Sequence, residues 1–478
     1  EDHYFGGIPE RIQACIAEVE QELYKLGVPI VTRHNEVAPS QFEMAPRFEE
    51  TDLGVDHNQL VMATLRRVAL RHDLQAVLHE KPFAGINGSG KHCNWSISVY
   101  AENSELDGLN LLKPGKTPHQ NVRFLLFLAA VLKGVNKHAG LLRASIASSG
   151  NEHRLGANEA PPAIISVFMG EMLTNVIEDI IEGKTSPANA EQAMIQLGVD
   201  KLPDIAKDNT DRNRTSPFAF TGNKFEFRAV GSSASIAFPV AMLNAAVAEA
   251  CGELAEQLRE ELKKTSKVDD AVLKIVRKAF KESTPVRFEG NNYSEEWVED
   301  AEKRGLLNLR RTPESLAQLV TKQSVKLLTS LGIFAEEEVK SRYHVRLERY
   351  IKDMLIELYT LREMVDTLVL PAAYEYAGQL GESAANAKTA GIKVVPQVQA
   401  ANRIGALITE LEEGRTALLE VIARAEGMHD EPEELAEFLT SEGADRMADV
   451  RKASDALELV VSDDVWPLPK YREMLFPV

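Results

Sequence analysis

The chain has 478 residues and a formal charge of −18, from 72 acidic against 54 basic side chains. Its length allows about three average domains and a large core, while the acidic excess argues against a nucleic-acid or anionic-membrane partner. Three cysteines, Cys15, Cys93 and Cys251, are too few and too scattered for a disulfide framework or a zinc site. That suits a reducing cytoplasm, and neither a signal peptide nor a bilayer-spanning apolar run is present. The opening Glu1-Asp2-His3-Tyr4-Phe5, without methionine or targeting character, reads as an internal start within a longer protein.

Residues 9–26 read as a helix, because Ile12, Cys15, Ile16, Val19 and Leu23 recur at three and four residues and Gly27 stops it. Residues 33–48 read as a β-hairpin, with Pro39-Ser40 as the turn pair between alternating polar and apolar positions. Folded there, Ala38 faces Gln41, Val37 faces Phe42 and Glu36 faces Glu43. Two carboxylates directly opposite repel each other. A hard divalent cation such as Mg²⁺ or Mn²⁺ between them would relieve this. Both glutamates pointing at water is the plainer alternative, and the hairpin alone leaves the two open.

A second helix is expected over residues 58–79, carrying Leu60, Met62, Leu65, Val68 and Leu74. After it, Gly85 to Lys91 satisfies G-x-x-x-x-G-K, but His92 stands where a phosphate-binding P-loop needs Ser or Thr. A P-loop also opens a helix, whereas residues 94–99 alternate like a strand, so that reading is rejected. What remains is a glycine-rich loop bringing backbone close to a ligand, then a strand with His92, Asn94 and Ser96 on one face. A lone histidine beside a cysteine is usually structural; next to a paired-carboxylate hairpin, His92 becomes a ligand candidate.

Residues 117–142 read as a helix, and residues 148–162 as a loop of low apolar content, the kind in which function collects or nothing does. Residues 164–181 and 189–207 read as helices. They separate that loop from Arg212-Asn213-Arg214 and from a strand over residues 224–228, with Lys224, Glu226 and Arg228 on one face. Arginine suits phosphate because its planar guanidinium offers a fixed fork of donors; a solvated charged face is the alternative. From Thr312-Pro313-Glu314, a good helix start, the character changes. Leu347, Ile351, Met354, Leu358, Leu361, Val365 and Leu368 form a heptad-like seam ending before Pro371, and Ile404, Leu407, Leu411, Leu418 and Ile422 mark a partner helix. The two read as an antiparallel pair, structural and oligomer-forming. Residues 428 onward fall outside this picture, with an acidic loop at residues 429–434 and an extended tail from Trp466-Pro467-Leu468-Pro469.

Together these segments resemble glutamine synthetase, most closely its long type III form, over most of the chain. Asn35-Glu36-Val37-Ala38 with Gln41-Phe42-Glu43 is similar to the family's metal-binding hairpin, and Asn87-Gly88-Ser89-Gly90 with His92 to its glutamate loop and metal histidine. Arg154 with Glu159 resembles the substrate arginine and flap glutamate. Arg212-Asn213-Arg214 resembles the nucleotide-side arginine motif, and Phe225-Glu226-Phe227-Arg228 the last metal carboxylate plus a substrate arginine. Two departures stand out. Ala219 occupies a position where many members carry a second arginine, and the family's first two metal carboxylates and N-terminal β domain should precede Glu1.

The resemblance implies an α+β fold, with an antiparallel-sheet catalytic core among helices and a long helical C-terminal region. The expected division is a catalytic domain at residues 1–311, incomplete at its start, and a helical region at residues 312–478. It implies a cytoplasmic glutamate–ammonia ligase that uses ATP and two or more Mg²⁺ or Mn²⁺ ions, assembled as a homo-oligomer, a dodecamer by resemblance. Metal would be held by Glu36, Glu43, His92 and Glu226, and glutamate by Asn87, Gly88, Arg154 and Arg228. ATP would meet His34, Asn94, Ser96 and Arg214; Glu159, Arg214 and Arg228 would serve catalysis. A γ-glutamyl ligase for a larger amine and a non-catalytic regulator on the same fold are the alternatives. These 478 residues by themselves are expected to be inactive, their ions under-coordinated.

Overall fold

In a computed structural model, which describes residues 6–88, 90–115, 117–155, 162–184, 194–195, 205–206 and 215–476, the first expected helix is α1 (Glu10–Lys25). Cys15, Ile16, Val19 and Leu23 are its buried stripe. Gly27 ends it at φ +83°, a left-handed conformation cheap only for glycine. There Val28 N–H donates to Leu23 O at 2.9 Å and Gly27 N–H to Tyr24 O at 3.1 Å, satisfying the last carbonyls of the helix. The hairpin follows as β1 (Ile30–Asn35) and β2 (Phe42–Pro46), then α2 (Thr51–Arg71). α2 starts and stops several residues earlier than expected: its first turns are largely exposed and carry no stripe to read, and Leu74 lies beyond its end. Cys15, Val19, Leu23, Val28, Ile30, Val61, Val68 and Ala69 form one core that fastens the hairpin to α1 and α2.

The main sheet runs β3 (Lys91–Trp95), β8 (Phe225–Val230), β7 (Phe218–Phe220), β4 (Val167–Phe168). Its pairs are antiparallel except for the edge pair β4–β7, which is parallel. β4 sits where a helix over residues 164–181 was expected. Ile164, Ile165, Val167 and Phe168 are all buried, a β-branched run that suits a sheet better than a helix. After Gly170 (φ +79°) the chain does turn helical as α6 (Glu171–Glu182). Short antiparallel strands β5 (Met194–Ile195) and β6 (Ile205–Ala206) contradict the helix expected over residues 189–207 at those positions, because backbone bonds go across to a partner strand instead of along the chain. The rest of that span lies outside the described residues.

The helix expected over residues 117–142 is two, α3 (Val122–Lys137) and α4 (Ala139–Ser145), bent by 75°. Asn121 caps the first by accepting from Phe124 N–H at 3.1 Å. His138 occupies the break, buried, its Nε2 2.6 Å from Glu249 Oε2. That glutamate lies on α7 (Ala237–Leu262), which with α8 (Val268–Glu282) packs against α3. A one-turn helix α5 (Ser149–Glu152) and a later helix α9 (Glu295–Lys303) complete what bears on the site. Among the described residues no single helix is long and apolar enough to cross a membrane.

By packing the chain forms two units, Glu1–Arg310 with Glu314–Lys340, and Arg311–Pro313 with Ser341–Val478. After two short helices, α10 (Thr312–Leu316) and α11 (Lys322–Ser330), comes the long α12 (Glu336–Met364), which buries Leu347, Ile351, Met354 and Leu358 as the heptad reading expects. The helix does not stop before Pro371. A π-turn over Val365–Val369 leads into α13 (Leu370–Thr389) with Pro371 in its first turn. Proline lacks an N–H and crowds the carbonyl four residues back, and the wider turn accommodates both. α14 (Val395–Gly427) runs back along them: Tyr359 bonds Glu426, Asp366 pairs Arg415, and Tyr374 bonds Glu412. A further layer was not expected. α15 (Pro432–Phe438), a π-turn at Leu439–Gly443 and α16 (Ala444–Glu458) bury Leu435, Phe438, Leu439, Val450, Ala453 and Leu457. That turn shifts the phase of the apolar stripe, so a single 3.6-residue period does not show. The tail is tied back, Lys470 Nζ donating to Glu458 O at 2.9 Å and Val461 O at 3.0 Å, before α17 (Tyr471–Leu475).

Leu411 on α14 is fully buried. Leu411→Ala should lower the unfolding free energy of the second unit by ~2–5 kcal/mol, read as an earlier denaturant midpoint by circular dichroism. A shift of less than half that size would mean the interhelical seam is not where this unit's stability resides.

Candidate functional site

The hairpin register differs from the expected one by two residues. His34 pairs with Glu43 and Asn35 with Phe42, so the connection is the six-residue loop 36–41, closed by Glu36 N–H donating to Gln41 O at 2.9 Å. Two-residue hairpin turns need positive φ at the first central position, and proline is locked near −65°; Pro39 cannot take that place, while Ser40 adopts φ +57°. A slip of two preserves the face. His34, Glu36 and Glu43 therefore still converge, each with one ligand atom within 4.8 Å of the others. His34 Nε2 lies 2.9 Å from Glu36 Oε1 and 3.8 Å from Glu43 Oε2. Glu43 keeps 49% of its side chain open to solvent, yet its carboxyl is pushed up to about 7, first by partial desolvation, then by the hydrogen bond and charge of Glu36. The arrangement suits a cation: two carboxylates and an imidazole, with a proton holding the place of positive charge. Asn35 anchors the hairpin from behind, donating to Gly6 O at 2.9 Å and Gly7 O at 2.7 Å.

The second cluster sits on the main sheet. Cys93 pairs with Phe227 and Trp95 with Phe225 on the buried face, while Asn94 pairs with Glu226 on the open face. Between Lys91–Val230 and Cys93–Phe227 the register shifts, so two residues of β8, Arg228 and Ala229, oppose His92 alone. Such a bulge re-aims side chains. It leaves His92 on the open face, neutral at physiological pH: crowding by protein and the charges of Arg228 and Arg154 push it down to about 4, against the pull of Glu226 and Glu43. His92 thus feels carboxylates from both the hairpin and the sheet. Arg228 is buried, its Nε and Nη2 donating to Glu226 Oε2 at 3.1 and 3.0 Å. The solvated-face alternative for β8 does not hold.

Arg154 is 1% exposed. It donates to Val230 O at 3.0 Å and to Arg228 O, bracing the end of β8, and its Nε has no partner among the described residues. Glycines 88 and 90 are packing requirements: an ideal Cβ at Gly88 would lie 2.8 Å from Glu80 O, and one at Gly90 2.1 Å from Val230 O and 2.3 Å from Arg154 Nη1. Asn87 is half-buried on the same loop. No helix follows this loop, in keeping with the rejected P-loop. Asn94 lies on the open face, and Ser96 Oγ is 3.0 Å from both Asn110 Oδ1 and Asn223 O. Ala219 is buried in β7 opposite Glu226. Glu159 and Arg214 lie outside the described residues.

His34, expected beside the nucleotide, lies against Glu36 and Glu43, a position that follows from its pairing with Glu43. Lys91 was missed as part of the P-loop mimic. Its Nζ is buried against Asn58 Oδ1 at 3.3 Å, Met62 Sδ at 3.2 Å and Ala234 O, and burial pulls it down to about 8.

Two family models match the chain: glutamine synthetase, catalytic domain, over residues 3–164, and glutamine synthetase C-terminal domain over residues 271–388. A type-3 glutamine synthetase of Dictyostelium discoideum is 45% identical over 100% of this chain and 64% of its own length. Glutamine synthetases of Bacteroides fragilis (strain YCH46) and Butyrivibrio fibrisolvens are 43% and 40% identical, again over 100% of this chain, and over 65% and 67% of their own lengths. The chain spans about two thirds of these relatives.

Cation binding at the hairpin should release a proton from Glu43. Mn²⁺ affinity, followed by titration calorimetry in the full-length protein, should therefore weaken as pH falls below about 7. Glu43→Gln should lower affinity and flatten that pH dependence. Affinity independent of pH between 6 and 8 in the unaltered protein would show that Glu43 is not a ligand.

Proposed function

Because the chain belongs to the glutamine synthetase family, we propose that its site serves the ATP-dependent joining of ammonia to the γ-carboxylate of L-glutamate, through γ-glutamyl phosphate, giving glutamine, ADP and phosphate. The observation that carries this reading is the His34–Glu36–Glu43 cluster, with His92 close enough to feel the charges of Glu43 and Glu226, and Glu226 paired with the buried Arg228. A carboxylate is a poor electrophile; phosphorylation gives it a leaving group that an amine can displace. Glu36, Glu43 and His34 would hold one Mg²⁺ or Mn²⁺, His92 and Glu226 another. Bound there, such ions supply charge neutralisation on the phosphates.

The remaining roles belong to this chain's side chains. Arg228, fixed by Glu226, presents a charge that is already desolvated and oriented, so stabilising negative charge on the transferred group costs little reorganisation. Arg214 would act likewise from the nucleotide side. Asn87 and the backbone at Gly88 would hold glutamate together with Arg154, whose guanidinium also braces β8. Asn94 and Ser96 would meet ATP from the open strand face. Glu159 would exclude water from the acyl phosphate and take a proton from ammonium. Subunits assembled as a homo-oligomer complete the reading.

In the full-length protein with Mg²⁺ or Mn²⁺, sustained phosphate release should require ATP, glutamate and ammonium together. Equal release without ammonium, or none with all three, would overturn the reading. Glu159→Ala should lower turnover by ~10²–10⁴-fold with affinities for ATP and glutamate unmoved. Near-normal turnover would reduce Glu159 to a surface charge.

A further inference from the structure

A buried carboxylate, that of Glu80, stands at the start of the glycine-rich loop. Glu80 is 2% exposed, and its Oε1 accepts Ser232 N–H at 2.9 Å. Two glycines from two segments press on that carboxylate: an ideal Cβ would lie 2.5 Å from Oε1 at Gly231 and 2.7 Å from Oε2 at Gly150. Real Cβ atoms do not come that close, so these two glycines leave room for the acid, while Gly88 lets the loop pass 2.8 Å from the Glu80 backbone carbonyl.

The surroundings explain why an acid is there. Arg154 is fully buried, and its acceptors among the described residues are backbone carbonyls. The foremost charge favouring its protonated form is Glu80, which also favours the buried ammonium of Lys91. A buried cation needs an anion nearby or its desolvation goes uncompensated. Glu80 thus favours the charge of two cations that flank the site, without an ion pair to either among the described residues: Lys91 precedes His92, and Arg154 braces Arg228 and Val230 through their carbonyls.

We propose that Glu80 is a positioning residue whose carboxylate holds the turn leading to Arg154 and the end of β8 against the start of the glycine-rich loop, which Glu80 itself precedes, and thereby sets the shape of the amino-acid subsite. The substrate part of this inference rests on the ligase reading; the clamp itself does not. The segments concerned carry Asn87, Gly88, Arg154 and Arg228, the residues assigned to glutamate, and none of the hairpin ligands. Loss of the clamp therefore disturbs glutamate more than ATP.

The test uses the full-length protein. Glu80→Gln keeps shape and one acceptor but removes the charge. It should raise KM for glutamate by ~10–100-fold, the scale of a displacement near 1 Å, while KM for ATP stays put. Glu80→Asp, which keeps the charge, should recover part of that loss. Hydrogen exchange should quicken in peptides over residues 81–88, 148–155 and 228–234, and not in those over residues 341–476. Gly150→Ala, which crowds the carboxylate without removing it, should give a smaller rise of the same kind and decides the matter if Glu80→Gln does not fold. An unchanged KM for glutamate, an equal rise in KM for ATP, or Glu80→Asp no better than Glu80→Gln would overturn the inference. If the unaltered protein makes no glutamine, the ligase reading fails, and the exchange pattern alone decides the clamp: faster exchange confined to the three segments supports it, and uniform or unchanged exchange overturns it.

Discussion

The constraint on which the site depends is repulsion between two carboxylates held on one face of one hairpin. Glu36 and Glu43 are kept close because Ile30 of β1 and Met44 of β2 pack into the core with α1 and α2 around Val19, Leu23 and Val68, and Glu36 N–H closes the loop by donating to Gln41 O at 2.9 Å. The strain is met by a proton on Glu43, whose affinity for it is raised. A folded-state value above the unfolded one near 4.5 means the proton contributes stability at low pH, and that this contribution is lost as pH rises through about 7. Above that range the empty hairpin carries uncompensated negative charge. The crowding of charge is therefore built into the backbone as much as into any single side chain, and a cation held there would relieve it.

The sheet supplies the second half of the site by the opposite means, rigidity without charge. Phe218 stacks on Phe225 at 4.7 Å, and Phe227 and Phe220 meet that pair edge-on at 5.8 and 5.2 Å. With Cys93 and Trp95 facing them across the β3–β8 pair, these rings leave the buried face little freedom. The open face then inherits its geometry: Asn94 opposite Glu226, and His92 set off by the bulge at Arg228-Ala229. Burying Arg228 is tolerable because Glu226 pairs with it at once and Arg154 holds its carbonyl.

What the sequence made legible was local periodicity, and it failed where geometry had to be closed. The stripe of α1 and its glycine stop, the strand over β8 and the seam through Leu358 could be read because each is a repeat over one element. The hairpin was legible as a hairpin, but its register depends on what Pro39 can do in a turn, and ignoring that misplaced the partner of Glu43. β4 escaped because a short, wholly buried strand has no alternation to show. The second unit's third layer escaped for a related reason, its stripe being broken by a π-turn. Arg154 stood out only by resemblance; that it is buried against backbone carbonyls depends on Gly90 and Val230, far apart in sequence.

The run Gly85–Lys91 makes the same point for chemistry. Its letters match a phosphate cradle, in which glycines let backbone N–H groups surround an anion. Here the glycines do something else. Gly88 lets the chain pass over the Glu80 carbonyl, and Gly90 lets it press on Arg154 and Val230, each at distances no side chain permits. Lys91 ends the run, but its ammonium is turned inward against Asn58 and Ala234, where it can meet no phosphate. Glycine spacing records where backbone must come close to something. Whether that something is a ligand or the protein's own packing is decided by what lies on the other side, and in this chain it is the Glu80 carbonyl and the Arg154 guanidinium.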